Sequence, residues 1–104
     1  MLRFYRDVLR LPLHSIHEDE GFVAFQLGEV RFNVGRHAGV SGQSRDPLRV
    51  MPHLGVGDIH AEHSRLVAEG VDFIRPPERE HWGGWVATLT DPDGNVLQLL
   101  EFPE

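Results

Sequence analysis

Two hydrophobic periods divide the chain. Leu2, Tyr5, Val8 and Leu9 recur at helical spacing with Arg3, Arg6 and Asp7 on the other side, which predicts a short amphipathic helix over residues 2–10. Pro12 stops it. Alternation then takes over, and Leu13–His17, Phe22–Leu27 and Val30–Gly35 read as strands divided by the turns Glu18–Gly21 and Gly28–Glu29. In the third strand Val30, Phe32 and Val34 point one way and Arg31 and Asn33 the other, giving one core face and one polar face.

A stretch rich in Gly, Ser and Arg, about 37–49, carries little periodicity and reads as a linker. Val50–Val56 is the next strand, with Pro52 pointing to an edge position or an interrupted ladder. Asp58 is placed to cap a helix whose Ile59, His63, Leu66 and Val67 share a face and whose end is Gly70. Val71–Ile74 reads as a strand ended by Pro76-Pro77, residues 78–84 as a polar loop, and Trp85–Thr90 as a strand. Asp91-Pro92-Asp93-Gly94-Asn95 is a tight turn, with Pro92 fixing its own φ and Gly94 open to positive φ, and it delivers the chain into the apolar strand Val96–Phe102. The order is helix and three strands, linker, then strand, helix and three strands. The second half is a βαβββ module, and the first is the same module without its opening strand.

The Phe4-Tyr5-Arg6-Asp7-Val8-Leu9 opening, the strand, helix and strand of 52–74, and the Asp91–Asn95 turn with its strand together resemble the vicinal-oxygen-chelate superfamily of glyoxalase I, bleomycin-resistance proteins and extradiol dioxygenases. The resemblance spans nearly the whole chain. It implies an α+β fold: one domain over 1–104, with modules about 1–36 and 50–104 forming a cupped, mostly antiparallel sheet and helices on the convex side. Leu97 and Leu99 then face the helices and Gln98 the cup. The family closes its first helix with a glycine where Arg10 stands, so a left-handed Arg10 costs up to about 1 kcal/mol.

The same resemblance implies where a metal would sit: on the first and last strand of each module. Here the first strand of module one is absent, Asn33 holds the last, an ungapped count places Met51 on the first strand of module two, and Gln98 stands where the family has a glutamate. His53 faces the same side as Met51, whereas Glu101 has the opposite parity to Gln98 and faces away. A hard divalent ion without a charged oxygen ligand binds weakly, and Gln98 cannot serve as a base. The expectation is therefore no cofactor and no complete metal site. The alternative is a Zn, Ni, Mn or Fe site on His53 and Gln98. An in-frame apolar strand upstream of Met1 would supply a first ligand and favour that alternative.

Composition narrows the partners. A formal charge of -6 argues against nucleic acid and anionic membrane surfaces, and no run reaches the roughly 18 apolar residues of a membrane span. Without a basic and apolar leader the chain reads as cytoplasmic. Zero cysteines exclude disulfides and thiolate chemistry, while seven histidines leave imidazole chemistry open. His60 and His63 read as core-edge or solvated residues, and His14 and His17, of opposite parity on one strand, as unable to share a face.

Two functions follow. One is a module that captures a small amphipathic or aromatic molecule over Arg31, Asn33, His53 and Gln98, with Arg31 as the cation for a carboxylate and Trp82 at the pocket mouth. The other is a metal-dependent lyase or dioxygenase similar to glyoxalase I or the extradiol enzymes. The unpaired edge left by the missing strand predicts a twofold homodimer.

Overall fold

A computed structural model describes residues 1–103. It is α+β and divides into two compact units, 1–42 and, through the described residues, 43–103. The first unit opens with a helix at Phe4–Val8 that is wound as a π-helix rather than an α-helix, with Leu9 N–H donating to Phe4 O at 2.8 Å. The wider turn buries Phe4, Tyr5 and Val8, so the packed side differs from the predicted one, in which Leu2 and Leu9 took part. Arg10 holds φ 61, the left-handed conformation expected of it.

Strands β1 (Leu13–His17), β2 (Phe22–Leu27) and β3 (Val30–Gly35) form an antiparallel sheet in the order β1-β2-β3, on the predicted boundaries. Phe25 pairs with Phe32, and the Tyr5 ring lies 6.4 and 6.0 Å from theirs, so this face of the sheet carries the helix. Ala24 pairs with Asn33 and Gln26 with Arg31 on the other face. Both faces follow from the period-two pattern, although Val30, at the strand end, stays exposed.

The second unit contains β4 (His53–Gly55), α1 (Ile59–Ala68), β5 (Phe73–Arg79), β6 (Trp85–Thr90) and β7 (Val96–Glu101). Its sheet runs β4-β7-β6-β5, antiparallel except for the β4·β7 pair. Two boundaries correct the sequence reading. The strand predicted over Val50–Val56 pairs only at His53–Gly55, on an edge, while the Pro52 carbonyl still accepts Gln98 N–H at 2.9 Å. The strand predicted to stop before Pro76-Pro77 runs through both prolines to Arg79, because β5 is the opposite edge and its register shifts between Arg75 and Glu78. An edge with a bulge is where a residue lacking an N–H donor can remain in a strand.

Helix α1 begins as predicted, with the Asp58 side chain accepting Ala61 N–H at 3.1 Å, and ends at Gly70, where Val71 N–H reaches back to Leu66 O at 3.0 Å. Ile59 and Leu66 are buried, but Val67 is exposed and leaves the predicted face. The His60 ring meets Trp85 and the His63 ring meets Phe73 edge to face, at 4.6 and 4.5 Å. These contacts place α1 over Phe73 of β5 and over the odd-numbered residues of β6 and β7, where Leu97 and Leu99 are buried. Among the described residues no helix is long and apolar enough to cross a membrane.

The turn after β6 is built around buried Asp91. Its Oδ1 accepts the N–H groups of Asp93 and Asn95, and its Oδ2 accepts Asn95 Nδ2, all at 2.9 Å. Gly94 takes φ 77, the conformation that required glycine there. The irregular segment before β4 clasps this turn from outside: Ser44 N–H donates to Asp93 O at 2.9 Å and Gln43 Nε2 to Pro92 O at 3.1 Å.

Candidate functional site

The hairpin of β6 and β7 sets the register of the second unit. Counting outward from the Asp91 turn, Thr90 pairs with Val96, Leu89 with Leu97 and Thr88 with Gln98. Gln98 therefore stands on the face opposite α1, and its Nε2 donates to Thr88 Oγ1 at 3.3 Å. On its other side Gln98 is paired with His53 of β4, and Thr88 is paired with Arg75 of β5. Residues paired across neighbouring strands share a face. The result is one lateral row, His53, Gln98, Thr88, Arg75, crossing all four strands on the side away from the helix.

This row replaces the alignment expected from an ungapped count, in which Met51 took the position beside Gln98. Met51 lies before β4, and His53 is the residue in register. Thr88 and Arg75 were missed by sequence reasoning. Thr88 was accessible in principle, because the hairpin register follows once the turn is fixed. Arg75 was not, because irregular pairing on both sides of it breaks the count.

The chemistry of the row is that of an imidazole, a carboxamide, a hydroxyl and a guanidinium. Arg75 is held in place by Glu78, and its second nitrogen donates to Glu80 Oε1 at 2.6 Å. These two carboxylates, Glu78 first, push the guanidinium pKa further up, so it stays charged at any working pH. Glu101 lies on the helix side, as its parity required, and its Oε1 accepts Ile59 N–H at 2.8 Å. Among the described residues no three His, Cys, Asp or Glu side chains gather as a metal-binding group.

The other predicted residues fall elsewhere. Arg31 and Asn33 lie in the first unit, both exposed, on the face of β3 away from the helix; Arg31 Nε donates to Gln26 Oε1 at 2.8 Å. Trp82 is outside the row. Its ring covers Gly84, leaving no room for a Cβ there, and lies 6.1 Å from the ring of exposed Phe102. Half-exposed Trp82 thus forms an aromatic patch at the Trp85 end of the hairpin.

Comparison with known proteins places this arrangement. The model of the Glyoxalase/Bleomycin resistance protein/Dioxygenase superfamily matches residues 1–99, and the chain belongs to that family. It is 28% identical over 101 residues to a bleomycin resistance protein of Klebsiella pneumoniae, covering 88% of this chain and 76% of that one. A superfamily member from Sphaerobacter thermophilus superposes with a TM-score of 0.73 at 24% identity, covering 97% of this chain and 85% of that one. Lactoylglutathione lyase from Agrobacterium tumefaciens superposes with a TM-score of 0.70 at 19% identity, covering 95% and 80%. Both structures share the fold.

Proposed function

We propose that the protein captures a small organic molecule and holds no complete metal site, with the row His53, Gln98, Thr88 and Arg75 as the polar floor in the second unit. The observation that carries this is the donor set. A divalent ion at His53 and Gln98 would find one imidazole and one neutral amide, with a permanent cation in the same row and Glu101 committed to the helix. Hard and borderline ions need more anionic or imidazole donors than that. The same groups suit an organic ligand: an amide and a hydroxyl to orient it, an imidazole edge, and guanidinium for a carboxylate. Within the first unit Arg31 and Asn33 on β3 offer a polar face of their own, and Trp82 in the second unit offers an aromatic contact. Similarity to a bleomycin resistance protein supports the reading.

The second reading, a metal-dependent lyase or dioxygenase, draws on the direct pairing of His53 with Gln98. Two measurements separate them. A thermal-shift screen of aromatic carboxylates and their neutral amides is expected to show stabilisation by carboxylates that disappears in Gln98→Leu. Near-stoichiometric Zn, Ni, Mn or Fe in purified protein, lost on His53→Ala, would reverse the order. We further propose a twofold homodimer that covers β3, which among the described residues pairs only with β2. A light-scattering mass that stays near 11.8 kDa as concentration rises by an order of magnitude would overturn it.

A further inference from the structure

His14 and His17 were expected to be kept apart by strand parity, and a bulge in β1 brings them together. Leu13 pairs with Phe25 but Ser15 pairs with Ala24, so the register slips between them and His14 is the residue left over. From there His14 Nδ1 lies 2.9 Å from Ser15 Oγ, and the same oxygen lies 2.8 Å from His17 Nε2. The His17 ring is fixed by stacking on Phe22 at 4.4 Å, with 15° between the planes. Bulges re-aim side chains, and this one turns two imidazole nitrogens onto a single point.

A neutral imidazole presents one lone pair, and Ser15 has one proton to donate, so one ring accepts from the hydroxyl while the other donates to it. If the donating ring moves its proton to its other nitrogen, both lone pairs face the same point. Two converging imidazole lone pairs are a chelate for borderline divalent ions, which bind nitrogen at about 2.0–2.1 Å and favour imidazole over water. Ser15 Oγ itself holds that point, so an ion takes it only as the hydroxyl swings aside; His14 is exposed and His17 half-buried, which leaves the approach open. A nucleophilic serine is the weaker reading of the same atoms, because neither ring is seen to orient the other as a base: both bond the hydroxyl itself.

We infer that His14 and His17, with Ser15 between them, form a low-affinity site in the first unit for a divalent transition ion such as Ni²⁺ or Zn²⁺. It is separate from the His53 row in residues and unit. Two protein ligands leave the remaining positions to water and a weakly donating hydroxyl. The site fills when metal is supplied and empties on dialysis.

The test is titration of untagged protein with Ni²⁺, following paramagnetic broadening of the imidazole proton signals of the seven histidines, with affinity measured by calorimetry. His14 and His17 should broaden first. His14→Asn, at an exposed position whose side chain bonds only Ser15 Oγ among the described contacts, should keep its far-ultraviolet circular dichroism and weaken binding by about 10-fold or more, the scale on which even an outer partner's loss weakens metal binding. Ser15→Ala keeps both rings and should retain binding. Equal broadening of all seven signals, unchanged affinity in His14→Asn, or loss of binding in Ser15→Ala would each overturn the site.

Discussion

Glu101 accepts a hydrogen bond from the backbone N–H of Ile59 at 2.8 Å, tying the last strand to the first residue of α1. The N-terminal N–H groups of a helix have no partner within it, and a carboxylate there also meets the positive end of the helix dipole. Glu101→Ala should therefore destabilise the fold by about 1–2 kcal/mol, read as a lower urea midpoint with an unchanged slope. Metal content should not change. A loss of bound metal in this variant would show that the carboxylate serves the site rather than the helix.

Asp91 carries more. Among the described contacts its buried carboxylate accepts from the backbone N–H groups of Asp93 and Asn95 and from the Asn95 side chain. Asp91→Ala should cost roughly 3 kcal/mol. Asp91→Asn retains one acceptor oxygen and should cost less. Equal losses in urea denaturation would mean that the charge, rather than the oxygen count, holds the turn.

Arg10 sits at φ 61 without the freedom of glycine. Arg10→Gly should stabilise by up to about 1 kcal/mol, less whatever glycine adds to the entropy of the unfolded chain. A destabilised variant would show that the arginine side chain makes a contribution larger than its backbone strain.

Gly84 lies under the Trp82 ring. Gly84→Ala must push the indole aside, and the expected result is a red-shifted, more quenchable tryptophan emission with the circular dichroism of the sheet retained. Unchanged emission would mean that the backbone moves instead and that Trp82 is held by more than this contact.

Legibility in the sequence followed regularity. Where clear turns bounded a strand, as in β2, β3, β6 and most of β7, its limits were readable, and in β3 and β7 its faces were too, including the opposition of Gln98 to Glu101. The Asp58 cap and the Gly70 stop were readable because each rests on one residue's local chemistry. Failures came where a residue was inserted into the count. The π-turn shifted the buried side of the first helix toward Phe4. The β1 bulge joined His14 to Ser15, and the irregular pairing around Arg75 hid its place beside Thr88. Met51 was given the ligand position that falls to His53 because β4 is short and begins after Pro52, so its alignment depends on β7 rather than on its own pattern.

The clasp of Ser44 and Gln43 on the Asp91 turn determines where this chain can be opened. Its two donors belong to the same compact unit as the turn they hold, and the unit boundary falls immediately before them. A cut between Gly42 and Gln43 would leave the second fragment with its own fastening, whereas a cut a few residues later would strip the turn of its outer support. The irregular segment is thus free to lengthen within residues 37–42, whereas Gln43 and Ser44 are bound to the hairpin that fixes the register of His53, Gln98 and Thr88.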